Sequence, residues 1–379
     1  MTTKKPKLLL ATPYYASKVG GLENYAHHIA RQLIKRGWEV CAVTTNHEGN
    51  TYAEDVVDGV RVYRLPASFK LSNTSVGFSW PKDIRAIIAT EHPDVINVHT
   101  PVPGIADAAS RAAGSVPVVV TYHAATLYKH RDFIFNTIIF AYRFIERFML
   151  NKARGIIAVS PYHKDYLSKR VKRKMYIIEN AIPASELQAE TTAKKANRLF
   201  FINNLSKAHA WKGLDLILEA IAIYARQGND IELDVVGDGD YADHYKRRAE
   251  ELHIAHLVKF HGEQRGAGKY TPLRQATALV SYPTTANDAF PTIVLEAWAN
   301  RTPVILANIG ALPHIVHDGT DGLLAKAHDP AALAAVFAKL LPDTKLQAEL
   351  IEAGYRRAEH LTWDHQGQKT DEYLRGLLR

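Results

Sequence analysis

The stretch NDAFPTIVLEAWANRTPVI, residues 287 to 305, places one carboxylate ahead of an apolar helical run and a second inside it: Asp288 and Glu296, with seven residues between them. Pro291 suits the first position of a helix, where its missing N–H costs nothing. The pattern predicts a helix from about Thr292. Its first amides, near Thr292 and Ile293, have no intrahelical acceptor and can meet a phosphate. Asp288, in the loop ahead, can accept hydrogen bonds from hydroxyls beyond that phosphate. Glu296, inside the helix, can accept a pair of vicinal hydroxyls such as those of a ribose. Taken alone, the two acids fit a capping Asp and a solvated Glu equally well, so the surrounding chain has to decide.

Three other groups bear on the same chemistry. Lys212, in NNLSKAHAWKGLDLILEAI, stands before Gly213 at the start of an amphipathic helix. There it is either a mobile point charge for a phosphate or a solvated lysine. Gly20 and Gly21 precede the first helical pattern, either to let the backbone approach an anion or as a flexible turn. They do not make the nicotinamide fingerprint, which needs a third glycine. In VVGDGDY, Asp238 and Asp240 are a metal-binding pair or part of a tight glycine turn, and the want of further carboxylates nearby favours the turn. His253, His256 and His261 have no cysteine partners and do not make a zinc site. No metal and no cofactor is expected.

The elements that must position these groups alternate. KLLLATP reads as a strand. Residues 22–36 follow with Leu22, Tyr25, Ala26, Ile29, Ala30, Leu33 and Ile34 at helical spacing, closed by Gly37, and EVCAVTT reads as the next strand. VRVYRL, DVINVH, VPVVVTY, RGIIAVS and KMYIIEN continue as strands with helical patterns between most of them. The polar segment 184–197 interrupts the series and reads as a linker. The series restarts at RLFFINN and ends in helical patterns near 330–341, 344–359 and 364–378. Continuous apolar strands alternating with helices predict α/β architecture: two doubly wound, Rossmann-like domains with parallel sheets. Ligands in such sheets bind at the carboxyl ends of strands, so the expected site is the cleft between the domains.

With 379 residues, 47% hydrophobic and 23% charged, the chain is of ordinary globular composition. Its one cysteine, Cys41, excludes an internal disulfide, fits a reducing compartment and reads as core. The apolar run Leu8 to Ala11 is too short for a signal peptide, and no run is long enough to span a membrane. Net charge is +8. Residues 133–175 alone carry 10 basic and 2 acidic side chains, enough to account for the excess. Within them, Lys169, Arg170, Lys172, Arg173 and Lys174 follow an aromatic-rich helical segment, 133–150. Cations beside aromatic faces suit an anionic membrane surface, although a core helix with a solvated basic face would read the same. No nucleic-acid recognition motif accompanies the charge, so nucleic acid is not an expected partner.

In order along the chain, VGGLENYAHHIARQLIKRGWEV, IIENAI, KGLDLILEAI, VVGDGD, KFHG, the Asp288-to-Glu296 stretch, IGALPHIVHDGTDGLL and LTWDHQGQKTDEYL resemble the landmarks of the retaining glycosyltransferases of family four, which have the GT-B fold. The resemblance covers nearly the whole chain. It implies an N-terminal acceptor-side domain over 1–190, a donor domain over 191–361 and a closing helix, about 362–379, crossing back onto the first. It further implies transfer of a sugar from a nucleoside diphosphate sugar, UDP- or GDP-linked, with retention at the anomeric carbon. Gly20, Gly21, Asn204, Lys212, Thr292, Ile293 and Glu296 would bind the donor, and Asp288 would act in catalysis. His123, in VTYHAAT, resembles a family histidine that faces the sugar.

The chain departs from the family pattern at several points. Asp288 stands for a Glu, Asn204 for an arginine and Ala181 for Asn-Gly. Asn300-Arg301 replaces a common glycine, and His314 a common Glu. The expected enzyme works at the cytoplasmic face of the plasma membrane on a lipid-linked or soluble glycan acceptor. Two rivals are a nucleotide-sugar epimerase of the same architecture and a non-enzymatic membrane-bound subunit of a polysaccharide assembly.

Overall fold

The computed structural model describes residues 5–15, 21–47, 49–71, 74–123, 133–188, 190, 192–287 and 290–379, with backbone alone at 133–135 and 267. The chain forms two compact units, Met1–Asn180 with Trp363–Arg379, and Ala181–Thr362.

The first unit runs β1 (Lys7–Ala11), α1 (Gly21–Lys35), β2 (Glu39–Thr45), β3 (Ala53–Val57), β4 (Val60–Leu65), β5 (Phe69–Leu71), β6 (Thr74–Val76), α2 (Trp80–Glu91), β7 (Val95–Thr100), α3 (Ile105–Ala112), β8 (Val118–Tyr122), α4 (Phe133–Lys152), β9 (Gly155–Ala158), α5 (Pro161–Ser168) and β10 (Met175–Ile177). Eight of its strands form one sheet in the order β10-β9-β8-β7-β1-β2-β4-β3. All its pairs are parallel except β3 on β4. The central strands are buried along their length, as continuous apolar runs require when helices cover both faces. β3, sequence AEDVV, is largely exposed, and its polar pattern gave no strand signal.

α1 buries Tyr25, Ala26, Ile29, Ala30 and Leu33, and Gly37 closes it at φ 84°. Cys41 lies buried in β2.

The second unit runs β11 (Arg198–Ile202), α6 (Leu214–Arg226), β12 (Glu232–Val236), α7 (Ala242–Glu251), β13 (Val258–Phe260), α8 (Ala267–Gln275), β14 (Ala278–Ser281), α9 (Thr292–Ala299), β15 (Val304–Asn308), α10 (Leu312–Ile315), β16 (Leu323–Lys326), α11 (Pro330–Leu340) and α12 (Thr344–His360). Its sheet is ordered β13-β12-β11-β14-β15-β16 and is parallel throughout.

α13 (Trp363–Leu378) belongs to the first unit. Two glycines let it lie close. A Cβ on Gly367 would stand 2.4 Å from Gln32 Cβ of α1, and one on Gly155 of β9 would stand 1.8 Å from the Tyr373 hydroxyl.

The boundary falls at 180/181, ten residues before the expected 190/191. Segment 184–197 is not a linker. The Gln188 amide donates to Ala299 O at 2.9 Å and the Lys195 amide to Gln275 O at 2.7 Å. The Lys194 ammonium donates to Arg274 O and Thr302 Oγ1 at 2.9 and 3.0 Å. Backbone hydrogen bonds, invisible in a polar composition, pin the segment to the second unit.

Candidate functional site

In the second sheet, chain order turns outward in both directions from β11, to β12 on one side and β14 on the other. The space beyond the carboxyl ends of β11 and β14 is therefore a topological switch point, where open α/β sheets bind ligands. The loop after β11 contains a 3₁₀ turn, Lys207–Lys212, that ends at Lys212 with its ammonium 4.5 Å from the Trp211 ring centre. Gly213 follows at φ 79°, and a Cβ there would lie 1.9 Å from Tyr282 O. Only glycine lets the Lys212 turn press against the exit of β14. The contact is fastened by the Thr284 amide, which donates to Trp211 O at 2.7 Å. α9 follows in the same loop, beginning at Thr292 with Pro291 in the cap position rather than inside the helix. The amides of Thr292 and Ile293 thus belong to its first turn.

Asn204 is exposed and its side-chain oxygen accepts from the Ser206 amide at 2.9 Å, shaping the turn that leads to Lys212. Gly237 and Gly239 behave as a tight exit. Cβ atoms on them would stand 1.7 Å from Asn203 O and 2.4 Å from Leu205 C. Asp240 accepts from the Lys207 amide at 2.9 Å, and Asp238 from the Gly239 amide at 2.8 Å. Among the described residues no group of three or more His, Cys, Asp or Glu is placed to hold a metal ion. His261 pairs with Asp234 at 2.7 Å.

Glu296 does not stand alone on α9. Its carboxylate forms an ion pair with Lys269 of α8. Glu186 lies in the same cluster. Burial first, and then the Glu296 charge, raise its pKa above the ordinary carboxylate range, while Lys269 opposes them. Sequence reading missed Lys269 and Glu186, because β14 and a turn intervene. A diol bound at Glu296 would share the carboxylate with a lysine. Asp288 and Gly20 lie outside the described residues. Gly21 is the exposed first residue of α1, and a Cβ on it would meet nothing within 4 Å.

In the first unit, His123 follows β8 at its carboxyl end. His99 Nδ1 lies 2.9 Å from His123 Nε2, and His99 Nε2 lies 3.0 Å from Asn97 Oδ1. One backbone carbonyl fixes every proton in this row. Asn97 Nδ2 donates to Val119 O at 3.1 Å, so its Oδ1 faces His99. His99 must therefore carry its proton on Nε2 and accept on Nδ1, and His123 must donate from Nε2. His123 Nδ1 is left as a lone pair. Both rings are neutral: burial pushes His99 down to about 3, and burial followed by the nearby His99 pushes His123 well below its ordinary value. The Tyr25 ring stands edge-on to His123 with centres 5.0 Å apart. His99 and Asn97 went unseen inside DVINVH, where the usable signal was two polar residues spaced by two, hence on one face of a strand.

The basic run splits. Lys169, Lys172, Arg173 and Lys174 are exposed. Arg170 is not part of a free patch. Its guanidinium pairs with buried Glu146 of α4 at 2.7 Å. α4 itself is buried on one face only, through Ile139, Tyr142, Glu146, Met149 and Leu150. Its other face exposes Phe140, Phe144 and Phe148 at 57, 68 and 63%. Among the described residues no helix is long and apolar enough to cross a membrane.

Two Rossmann-like units built on parallel sheets, with the candidate site residues at strand carboxyl ends, have the GT-B fold. Solved structures agree. A glycosyltransferase of Rickettsia africae covers 100% of both chains at 16% identity and TM-score 0.78. Anabaena HepE in complex with UDP covers 98% of this chain and 100% of its own at 18% identity and TM-score 0.74. The sequence matches the model for Glycosyltransferase Family 4 over residues 19–186 and that for Glycosyl transferases group 1 over residues 184–357. Together they span most of the chain, which belongs to the family 4 type of glycosyltransferases.

Among curated relatives, a phosphatidyl-myo-inositol mannosyltransferase of Mycobacterium leprae is 23% identical over 93% of this chain and 91% of its own. A D-inositol 3-phosphate glycosyltransferase of Corynebacterium diphtheriae is 25% identical over 93% and 88%.

Proposed function

We propose that this glycosyltransferase moves a sugar from a nucleoside diphosphate sugar, UDP- or GDP-linked, to a lipid-linked or glycolipid acceptor, with retention at the anomeric carbon and without a metal. The observation that carries the reading is the convergence of Lys212 and the first turn of α9 on the switch point between β11 and β14. A cation whose turn is held there by Gly213 and Thr284, together with the first amides of α9, suits a departing diphosphate. The lipid side rests on the relatives' acceptors, which are named as inositol lipids or inositol phosphate, and on the exposed aromatic and cationic face of the first unit.

In the proposed reaction the C1–O bond to the diphosphate breaks and the acceptor oxygen bonds to C1 on the same face. The acceptor proton passes to a phosphate oxygen of the leaving group. Charge builds on the diphosphate, and stabilising it where it develops is the largest kind of catalytic contribution. Lys212 and the α9 amides take that role. Glu296, tempered by Lys269, orients the ribose. Asp288 would act in catalysis on the transferred sugar, as the family resemblance implies. His123 offers its Nδ1 lone pair to a sugar hydroxyl, its ring held by His99. Gly21 leaves room for the donor at the start of α1, and Gly20 would bind the donor beside it, as the family resemblance implies. The family match favours transfer over the epimerase reading, and the relatives' activities favour an enzyme over a non-enzymatic subunit. The site of action under this reading is the cytoplasmic face of the membrane, with nucleic acid no partner.

Calorimetric titration with UDP and GDP, followed by donor turnover, tests the site. Lys212→Ala should weaken diphosphate binding by about 1.5–3 kcal/mol, the worth of a hydrogen bond to a charged group. Unchanged affinity removes Lys212 from the donor site and leaves the reading without its main support.

A further inference from the structure

Helix α4 carries a ridge with a furrow on either side. Phe140, Phe144 and Phe148 repeat every four residues, which stacks them along one stripe of the helix. Ile145, 45% exposed, widens the stripe. On one side, toward α3 and the amino ends of β8 and β9, lies a groove of 1170 Å³ walled by Phe144 and Phe148 and edged by Arg111, Lys152, Arg154 and Arg173. On the other side, toward α5, lies one of 420 Å³ walled by Phe140 and Phe144 and edged by Arg143, Arg147 and Lys169. The first groove sits at the amino end of β8, the opposite end of that strand from His123, and so lies apart from the site described above.

We propose that α4 seats the first unit on an anionic phospholipid leaflet, with the Phe140–Phe144–Phe148 ridge entering the acyl boundary and the two furrows taking phosphodiester headgroups. This deepens the lipid-acceptor reading and rests on it. Charge decides the occupant. A second copy would bring another basic face against this one, since residues 133–175 hold 10 basic and 2 acidic side chains. An anionic leaflet offers the opposite sign to both furrows and an apolar interior to the ridge between them. The anchor therefore shifts from the run 169–174 to α4. Of that run, Arg170 is spent on Glu146, and Lys169 and Arg173 serve as furrow edges.

The full chain should float with phosphatidylglycerol–phosphatidylcholine vesicles at low salt and remain behind with phosphatidylcholine alone. Phe140→Ser/Phe144→Ser/Phe148→Ser should lower the partition coefficient by about tenfold or more. Arg111→Gln/Lys152→Gln/Arg154→Gln should lower it several-fold and flatten its salt dependence. Phe144→Trp, which keeps the ridge, should bind and shift its emission to the blue, with quenching by brominated acyl chains.

The proposal is overturned if the wild type ignores anionic vesicles, if the emission of the Phe144→Trp variant stays unshifted on bound vesicles, or if sedimentation velocity shows the ridge pairing two copies. Preferential binding of single-stranded RNA over vesicles would also overturn it. Donor turnover by the serine variant with a detergent-dispersed acceptor separates the two claims. Turnover kept while vesicle binding is lost supports both, and turnover absent in a wild type that floats counts against the transferase reading alone.

Discussion

Replacing His99 by Phe tests the proton arrangement around His123. The substitution keeps a flat ring in a fully buried position but removes two hydrogen bonds, the acceptor for His123 Nε2–H at 2.9 Å and the donor to Asn97 Oδ1 at 3.0 Å. At about 0.5–1.5 kcal/mol for each neutral bond, the first unit should lose about 1–3 kcal/mol at pH 7.5. The loss should shrink in acid. His99 titrates at about 3 in the folded chain against an ordinary 6.5. Between those values the unfolded chain binds a proton that the folded chain refuses, so the wild type loses stability as pH falls through 6.5. Each unit of pH is worth about 1.4 kcal/mol. At pH 5 the wild type should have surrendered about 2 kcal/mol that the Phe variant, lacking the group, keeps. Burial, the main cause of the His123 shift, is common to both proteins and largely cancels.

Hydrogen exchange in denaturant, read on peptides from β7 and β8, reports the first unit separately from the second. A stability difference that stays constant from pH 7.5 to 5 would show that His99 is not held neutral, and the proton assignment would fall. Kinetics supply a second reading: with His123 unpinned, kcat should drop by about tenfold, the value of one hydrogen bond, with KM for the donor little changed.

Glu296→Gln should lower donor affinity, while Asp288→Asn should lower turnover more than binding; equal and small effects on transfer kinetics would reduce the pair to a cap and a solvated acid. Lys194, half-buried and pushed down by desolvation to about 7 from 10.5, should make the second unit more stable as pH rises from 7 toward 10, because the unfolded chain still binds the proton there. Lys194→Met should flatten that rise in denaturant titrations, and an unchanged slope would refute the assignment. Gly213→Ala adds a Cβ within 1.9 Å of a backbone oxygen at φ 79°, so it should lower both the stability of the second unit and UDP or GDP affinity by well over tenfold; wild-type affinity would show that the turn is not what places Lys212.

Lys212, Glu296 and the start of α9 were legible because each depends on local pattern: residue type, spacing and a strand-to-helix boundary. The His123 row was half legible. A histidine after a strand stands out, but its partners lie on the neighbouring strand, and the register that sets Thr100 beside Tyr122 and His99 beside Thr121 is a tertiary fact. Lys269 was lost for the same reason, since only the parallel order of the second sheet brings α8 to α9. α4 was ambiguous in a different way. Apolar residues occupy both its faces, so periodicity could not tell which one was covered. Packing decides: Met149 and Leu150 go inside while Phe144 and Phe148 remain out.

The departures from the family pattern at Asn300 and Arg301 also change meaning once their contacts are known. Arg301 adopts φ 53°, the left-handed region where a glycine costs nothing and any other residue costs about 1 kcal/mol. The chain offsets that cost through the side chain. Arg301 Nε donates to Gln188 O at 2.9 Å, Nη1 pairs with Glu352 at 2.6 Å, and the guanidinium lies 3.8 Å from the Tyr355 ring centre. Asn300 works beside it, accepting from Arg274 Nε at 2.7 Å and donating to Glu296 O at 2.8 Å. Together they tie the end of α9 to α8, to α12 and to the segment that opens the second unit. A glycine at 301 would relax the backbone and cut those ties. The substitution therefore bears on how firmly α9 is anchored, and through α9 on where Glu296 and the first-turn amides sit, whereas at the expected diphosphate site Lys212 matches the family pattern and Asn204 departs from it.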